Sequence, residues 1–353
     1  MTDSLLAATA AEILAEVCTG EALRAAERDG FAPRAWAAVA DAGLPWISVP
    51  EESGGEGGDL GDALTVLRSA GYYGLPLPLA ETGVLAGWLL SAAGLPVARV
   101  PATVASGPGL SWDGSTVRGV ARLVPWGRCA GQVVALVPSA VGELVAVFDP
   151  ADLRVERHVN VAGEPRDTVH FDGAAPLASA SARSPVSVAA LRRRGALTRV
   201  ALMAGAVGRI CDITVRYTGE RQQFGKPVGR FPGVQQHVVH VAQQAAMLGM
   251  AADMACAAAV ADPGLEGQAT VFRVSAAKSV AADAATIATA AAHQAHGAMG
   301  VTQEYTLHHL TRRMWAWARE YGSGAQAAGE VGTLVASAGA DALWPMITKL
   351  SYY

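Results

Sequence analysis

One short stretch, residues 217–231, combines side chains that suit a phosphorylated, ring-bearing ligand. Arg221 offers a fixed cation, Gln223 an amide and Phe224 an aromatic plane. A guanidinium pairs with phosphate oxygens, and an aromatic ring stacks on a heterocycle. The stretch therefore predicts a binding element. A solvated basic turn is the alternative that the same residues allow.

The segments on both sides of this stretch have helical periodicity. Apolar residues recur three or four positions apart over about residues 200–217 and again over 234–255. Gly225 and Pro227 prevent one continuous helix between the two segments. We therefore expect the stretch to be the turn of a helical hairpin.

Two other groups of residues resemble ligand sites but are better explained otherwise. His293 and His296 are three residues apart, and His308 and His309 are adjacent. Neither pair has a carboxylate or a third ligand at the spacing of a zinc site. Histidines on a helix surface are the preferred interpretation. The Gly-rich segment 50–62 has acidic side chains that would repel phosphate and no phosphate-binding glycine pattern, so it predicts a flexible loop.

Three ordered motifs resemble those of the acyl-CoA dehydrogenase family. Residues 217–231 are similar to the family's Tyr-x-x-x-Arg-x-x-Phe-Gly-x-Pro-[Ile/Val]-Gly-x-Phe run. Residues 294–304 are similar to its Gln-x-x-Gly-Gly-x-Gly-[Phe/Val]-Thr stretch, and residues 49–55 to its N-terminal signature. The sequence departs at Pro232, where the family usually has glutamine, and at Ala298, which replaces the second glycine. The resemblance covers nearly the whole sequence.

This resemblance implies an FAD site between a β domain and a helical bundle, with the adenine end of FAD reaching a neighbouring subunit. Arg221, Gln223 and Phe224 would meet the pyrophosphate and adenosine portion. Gln294 and Gly297 would contact the adenine-side phosphates from the facing subunit, since a glycine lets backbone N–H groups approach them. A helix-end cap is the alternative role for Gln294.

The resemblance also implies a substrate and partners. These are an acyl-CoA thioester, an electron-transfer flavoprotein as the electron acceptor, and further subunits in a tetramer. Ser323 is one more residue that the resemblance assigns to the cofactor.

The β-domain half of the implied flavin site departs from the family. Its Thr-Glu-Pro-Gly-Ala-Gly-Ser-Asp-like loop corresponds to residues 101–110, which are short and lack aspartate. Its Trp-Ile-Thr corresponds to Leu123, Val124 and Pro125. Because proline has neither hydroxyl nor N–H, Pro125 has nothing to donate to flavin N5 or O4. We therefore expect a poor site for the isoalloxazine ring.

The family reaction needs a carboxylate to take the α-proton of the thioester, and neither family position holds one here. The first position, early in the first long bundle helix, is Thr198, before Arg199. The second, in a Tyr-Glu-Gly-Thr-like turn, is Tyr321, with Glu320 one residue earlier. One residue of helix rotates a side chain by roughly 100°. Glu320 would act as the base only in a remodelled turn, and an ordinary exposed glutamate is the alternative.

Composition narrows the class of protein. The 353 residues carry a formal net charge of −4, which gives no indication of nucleic-acid binding. Apolar residues make up 51% and charged residues 16%, so a subunit interface is expected to cover part of the apolar excess. Arg199 and Asp212 interrupt the richest apolar region, and no membrane-spanning run is expected.

The N-terminus and the cysteines predict a cytoplasmic protein. Asp3 and Glu12 stand where a signal peptide has basic residues. The four cysteines are far apart and lack metal-site spacing, which favours reduced, mostly buried thiols.

The periodicity predicts a mostly α protein with a central β domain. An N-terminal helical domain is expected over residues 1–101, a small antiparallel barrel or sandwich over 102–184, and a C-terminal four-helix bundle over 185–353. In the bundle, Asp262 and Pro263 predict the start of the third long helix, which should run through His293. The resemblance implies the same architecture.

The leading hypothesis is an FAD-dependent acyl-CoA dehydrogenase subunit, the degenerate member of a mixed tetramer of the kind that actinobacterial steroid-catabolic members form. One alternative is an active homo-oligomeric enzyme with Glu320 as a displaced base. Another is a non-catalytic acyl-binding or structural relative without flavin.

Overall fold

A computed structural model describes residues 2–140, 142–183, 185–302 and 304–348. Helices occupy both ends of the described chain, and strands lie between them, within residues 102–181, apart from one two-stranded hairpin at the tip of the C-terminal bundle.

The N-terminal part is helical, as the periodicity predicts. Its helices are α1 (Thr2–Val17), α2 (Gly20–Asp29), α3 (Pro33–Asp41), α4 (Leu60–Tyr73) and α5 (Trp88–Ala93), with a π-helical segment, Ala80–Gly87, before α5. The prediction of a flexible loop at residues 50–62 is wrong. Gly57 N–H donates to Val49 O at 2.9 Å and Gly58 N–H to Ile47 O at 2.8 Å, so residues 50–58 form a hydrogen-bonded turn, and residues 60–62 begin α4.

The central part is a sandwich of two four-stranded sheets with an apolar core between them. Its strands are β1 (Ala102–Ser106), β2 (Leu110–Trp112), β3 (Val117–Pro125), β4 (Gln132–Ser139), β5 (Gly142–Phe148), β6 (Arg154–Glu156), β7 (Arg166–Ala174) and β8 (Ala178–Ser181). The sheet orders are β1-β4-β5-β8 and β2-β3-β7-β6. The pairing is antiparallel, as expected, except that β1 and β4 are parallel.

The C-terminal part is a helical bundle with a small hairpin at one end. Its elements are α6 (Val188–Glu220), β9 (Gln222–Gln223), β10 (Lys226–Pro227), α7 (Pro232–Ala261), α8 (Gln268–His296), α9 (Leu307–Trp317), α10 (Gly324–Ala338) and α11 (Leu343–Thr348). The prediction that α8 begins at Asp262 and Pro263 is wrong. Asp262 Oδ2 accepts a hydrogen bond from Gly267 N–H at 2.8 Å, which holds a turn ahead of the helix.

Two glycines allow α4 of the N-terminal part to cross α6 of the bundle at very short distance. A Cβ atom on Gly71 would lie 1.9 Å from Leu202 O, and one on Gly205 would lie 1.9 Å from Arg68 O. Any larger residue at either position would force the helices apart. The N-terminal part is therefore fixed to the first bundle helix.

The sequence predicts no membrane-spanning run that is free of charge, and α7 carries Asp253. By length and composition alone α7 is apolar enough to cross a membrane, with a mean hydropathy of 1.4 over eighteen residues, of which 39% are buried. Bundle helices of soluble proteins pass the same test. Within the described residues α7 packs beside α6, α8 and α4, and its other side is exposed.

Candidate functional site

A cavity of about 900 Å³ lies between the sandwich and the bundle. Its walls come from residues 122–125 at the end of β3, from residues 158–161 after β6, from Leu191 in α6, from Trp315 and Ala316 in α9, and from residues 319–322 in the following turn. The cavity thus lies where the family resemblance implies the flavin ring and the acyl thioester.

The end of β3 is distorted where it faces the cavity. Leu123 has a φ of 57°, and the pairing of β3 with β7 shifts register between Ala121 and Val124. This left-handed conformation costs roughly 1–2 kcal/mol for a residue with a Cβ. The carbonyl of Pro125 accepts a hydrogen bond from the Thr103 hydroxyl, and Pro125 has no N–H to donate. The segment therefore presents an aliphatic side chain to the cavity, and at Pro125 no donor for a flavin ring.

Glu320 is bound by two buried arginines. Its Oε1 lies 2.7 Å from Arg166 Nε, and its Oε2 lies 2.7 Å from Arg199 Nε. Asn160 Nδ2 also donates to Oε1 at 3.2 Å. Burial alone would raise the pKa of this carboxyl, but the Arg166 and Arg199 guanidinium groups outweigh it and lower the pKa to about 2. A carboxylate held in this way is a weak base. The interpretation of Glu320 as an ordinary exposed glutamate is wrong, because its side chain is 16% exposed.

The ion pairs of Glu320 belong to a buried network that joins all three parts of the chain. Arg199 Nη2 contacts Glu81 Oε1 at 2.5 Å, in the N-terminal part. Arg166 Nη2 contacts Glu164 Oε2 at 3.0 Å, and Glu164 Oε1 lies 3.3 Å from Arg313 Nε. The turn that follows α9 is therefore fixed from the N-terminal part, the sandwich and the bundle.

Thr198, at one of the two family positions for the base, lies away from the cavity. It is fully buried, and its hydroxyl donates to Gly195 O at 2.7 Å. The residue thus bonds within its own helix and is not among the described residues that line the cavity.

Tyr321, at the other family position, lines the cavity with a neutral phenol. Its φ is 54°, and its ring covers Gly195 so closely that a Cβ atom there would lie 2.3 Å from Tyr321 Cδ1. Burial raises the pKa of the hydroxyl well above its usual value, although the nearby Arg199 lowers it. A neutral phenol at this position does not take a proton from a thioester.

The contact between Gly195 and Tyr321 gives a stability prediction. Gly195→Ala should lower the free energy of unfolding by roughly 1–3 kcal/mol, because the new methyl group would overlap the Tyr321 ring. Gly208→Ala is the matched control on the same helix, since a Cβ there meets its nearest neighbour at 3.9 Å. Thermal melting of both variants checks this. Equal melting temperatures for the two would contradict it.

The predicted binding stretch forms the exposed tip of the α6–α7 hairpin. Phe224 and Gly225 connect β9 and β10, and both have positive φ, at 52° and 77°. Phe224 is 91% exposed and Arg221 is also exposed. Positive φ at both central residues is the geometry that a two-residue hairpin turn favours, and for Phe224 it carries the steric cost of a residue with a Cβ. The resemblance implies a role for these residues at the adenine half of an FAD site in a neighbouring subunit, and their exposure at the tip leaves them accessible to another chain.

The structure brings the two C-terminal motifs together at the base of this hairpin. The Tyr217 ring stacks on His296 with centroids 4.5 Å apart, and its hydroxyl donates to His296 O at 3.3 Å. Gln294 and Gly297 are exposed on either side of that contact. Ser323, the remaining cofactor candidate, caps α10, where its Oγ accepts from Gln326 N–H at 3.2 Å.

The expectation that the four histidines lie on a helix surface is wrong for two of them. His296 and His309 are 3% exposed. His296 Nε2 lies 3.2 Å from the Tyr305 hydroxyl, and His309 Nδ1 lies 2.8 Å from Glu27 Oε1. Over the described ranges, no three His, Cys, Asp or Glu side chains come together as a metal site.

Family models identify the class of protein. The acyl-CoA dehydrogenase N-terminal domain matches residues 2–97, and the acyl-CoA dehydrogenase C-terminal domain matches residues 191–325. The chain belongs to the acyl-CoA dehydrogenase family of oxidoreductases. The predicted fold class, helical at both ends with a central β region, is confirmed by this match and by the described structure.

Curated relatives come from mycobacteria. The chain is 28% identical over 240 residues to acyl-CoA dehydrogenase IpdE2 of Mycolicibacterium smegmatis, which covers 66% of this chain and 70% of the relative. It is 31% identical over 317 residues to acyl-CoA dehydrogenase FadE34 of Mycobacterium tuberculosis, which covers 84% of this chain. The match spans only 42% of the length of FadE34.

Solved structures share the fold over most of their length. The ChsE4–ChsE5 complex from Mycobacterium tuberculosis has a chain with a TM-score of 0.81 and 23% identity, with 95% of this chain and 97% of that chain covered. The Tcur3481–Tcur3483 steroid ACAD has one with a TM-score of 0.84 and 22% identity, covering 96% and 99%. PigA, solved with FAD and proline, gives 0.82 and 15%, covering 96% and 98%. At these identities the likeness establishes the fold.

Proposed function

We propose that this chain is the degenerate subunit of a heteromeric, FAD-dependent acyl-CoA dehydrogenase. The proposal depends on the three residues that could act as the base, because none of them is suited to take a proton. Thr198 is buried and bonded within its helix, Tyr321 is a neutral phenol, and Glu320 is held by two arginines. Among the described residues that line the cavity, Glu320 is the one carboxylate. The chain therefore depends on a partner for α-proton abstraction.

The hairpin gives this chain a role in the partner's site. Its exposed Arg221 and Phe224 suit the phosphates and the ring of an adenine nucleotide. FAD, when bound, supplies the ring that accepts the hydride from the β-carbon. Arg221 would hold a phosphate of that cofactor, and Gln223 and Gln294 would orient its adenosine portion. Structural neighbours described as the ChsE4–ChsE5 complex and as PigA with FAD support a heteromer and this cofactor.

The uncovered face of α7 supports assembly with other subunits. Asp253 is the one residue of this helix with a formal charge at neutral pH, and Val239, Met247 and Met250 are each at least half exposed. An exposed face that is so apolar is typical of a subunit interface. The proposal includes a tetramer, an electron-transfer flavoprotein as the electron acceptor, and a cytoplasmic location that the four free cysteines favour.

The homo-oligomeric alternative needs Glu320 as a displaced base, and its ion pairs weigh against that role. To accept a proton, Glu320 would have to leave two buried guanidinium groups. Removing one partner from such a buried pair costs about 3–5 kcal/mol. The alternative of a non-catalytic relative predicts a chain that never completes a flavin site.

Co-expression with a base-carrying homologue tests the proposal. The expected product is a stable heteromer with fewer flavins than chains and with dehydrogenase activity that neither chain has alone. Size-exclusion mass measurement and flavin absorbance give the two counts. A homotetramer with one FAD per chain and full turnover would reject the proposal.

Arg221 gives a sharper prediction within the heteromer. Arg221→Ala should weaken flavin retention by at least about tenfold, because a charged hydrogen bond contributes roughly 1.5–3 kcal/mol. Arg216→Ala, which removes an exposed arginine from α6 before the hairpin, is the control. Flavin released during dialysis provides the measurement. Retention equal to that of the control would remove Arg221 from the cofactor site.

A further inference from the structure

The exposed side of α7 carries a stripe of residues with a regular spacing. Positions 239, 243, 246, 250, 253, 257 and 260 are all exposed, and the intervals between them alternate between four and three. Val239, Met250 and Val260 are 50%, 64% and 40% exposed. Alternating intervals of this kind are the repeat by which two helices pack along their length. The stripe is therefore suited to contact with another helix.

The stripe has nearly the same order of side chains in both directions from Met250. A two-fold axis at Met250 would place Val239 of one copy beside Val260 of the other. It would also place Gln243 beside Ala257, so that a long side chain faces a short one. A contact between two identical chains about a two-fold axis requires such self-complementarity, whereas a contact between different chains does not. The order of the side chains therefore favours a second copy of this chain as the partner.

The position of Asp253 favours an antiparallel pair. Asp253 is the one residue of α7 with a formal charge at neutral pH, and its Oδ1 accepts a hydrogen bond from Arg68 Nη1 of α4 at 2.7 Å. A parallel pair would place Asp253 opposite Asp253, and like charges that face each other repel. In the antiparallel pair Asp253 lies opposite Ala246. The two carboxylates are then about 10 Å apart along the helix, at 1.5 Å per residue.

We propose that the exposed side of α7 binds a second copy of this chain, antiparallel about a two-fold axis at Met250. The hairpin tip lies before Pro232, where α7 begins, and Met250 lies about 27 Å further along the helix. Both tips therefore stay free to reach other chains. In the heteromer this arrangement places two copies of this chain at the centre and one base-carrying chain at each hairpin. The pairing itself goes beyond the proposed function and does not require it.

Thiol cross-linking of single-cysteine variants of the full chain tests the pairing. Each variant also carries Cys256→Ala, which removes the free cysteine of α7. With a short bismaleimide, Met250→Cys should form a covalent dimer by itself, because the axis brings the two thiols together. Val239→Cys and Val260→Cys should each stay uncross-linked alone and should form a dimer when mixed. Ala328→Cys, at an exposed position of α10, is the matched control and should stay uncross-linked.

Size-exclusion mass measurement gives a second result for the same surface. The lone chain should be a dimer, and Met250→Glu should convert it to a monomer at the same concentration, because two carboxylates would meet on the axis. Ala328→Glu is the control and should remain a dimer. Both positions are exposed, so the substitutions should leave the fold intact.

Four results would overturn the inference. The first is a folded Met250→Cys chain that forms no covalent dimer. The second is a Val239→Cys chain that cross-links with itself, which indicates a parallel pair. The third is binding of the parent to phospholipid vesicles that Met250→Glu abolishes, which would assign the face to a membrane. The fourth is an active heteromer in which Met250→Cys cross-links only to the base-carrying homologue, and this result would leave the proposed function intact. A chain that dimerises as expected but never joins such a homologue would reject the proposed function alone.

Discussion

Glu320→Gln is expected to lower the free energy of unfolding by about 3 kcal/mol, a larger loss than a surface carboxylate produces. The variant removes the negative charge between Arg166 and Arg199, and each arginine is left with one acidic partner, Glu164 or Glu81. Urea titration of the parent and the variant measures the difference. Glu304→Gln, at an exposed position before α9, is the control and should change stability by less than about 0.5 kcal/mol.

The pH dependence of that difference has a defined direction. The folded pKa of Glu320, about 2, lies below its ordinary value of 4.5. The stabilisation is therefore fully present above pH 4.5 and is lost as the pH falls towards 2, where the folded carboxyl also takes up a proton. The parent and Glu320→Gln should approach each other in stability over that window. A difference that stays constant from pH 7 to pH 3 would contradict the ion-pair assignment.

A double-mutant cycle separates the ion pair from other effects of the substitution. Arg166→Met with Glu320→Gln should show a coupling free energy of at least about 1 kcal/mol, because the two side chains share hydrogen bonds at 2.7 and 3.1 Å. The same variant tests catalysis. In the heteromer, Glu320→Gln should leave the rate of flavin reduction unchanged in correctly folded protein, whereas the displaced-base alternative requires that rate to collapse.

Periodicity predicts the regions of the fold because it reports which face of each element is buried. The long helices and the β-branched strands follow from it directly. The start of α8 does not follow from periodicity. Asp262 has the residue type of a helix cap, but its carboxylate accepts a hydrogen bond from Gly267 N–H and holds a turn.

The candidate site was predictable only where its residues are neighbours in sequence. The hairpin tip and the replacements at Thr198, Tyr321 and Pro125 could be located from local motifs. The environment of Glu320 could not, because Arg166 and Arg199 are 154 and 121 residues away from it. One feature of the sequence nevertheless indicates buried ion pairs. Several arginines stand in an otherwise apolar chain, among them Arg166, Arg199, Arg312 and Arg313. A buried cation needs an acidic partner, so these arginines predict buried carboxylates beside them.

The free energy of unfolding of the parent is expected to rise between about pH 7 and pH 10.5, and Lys278→Met is expected to remove most of that rise. Lys278 lies in α8 and is 2% exposed. Its Nζ donates to Trp317 O at 2.7 Å, next to the turn that carries Glu320. Burial lowers the pKa of this amine from 10.5 to about 7, despite the attraction of Glu320. In that window the unfolded chain binds a proton that the folded chain does not. Parent stability should therefore rise with pH, by about 1.4 kcal/mol per unit for this group.

Both groups make stability rise with pH, but the ionised Glu320 stabilises the fold whereas the ionised Lys278 destabilises it, so the two variants form a matched pair. Below pH 7 the folded chain holds a buried ammonium at a cost, so Lys278→Met should be more stable than the parent there despite losing the hydrogen bond to Trp317. Above pH 10.5 that lost hydrogen bond, about 1 kcal/mol, should make the variant less stable. Lys226→Met, on the exposed hairpin, should follow the parent at every pH. If the stability of Lys278→Met also matches that of the parent at every pH, the Lys278 amine is not held uncharged behind the turn. In that case the position of Glu320 and Tyr321 depends on the arginines alone.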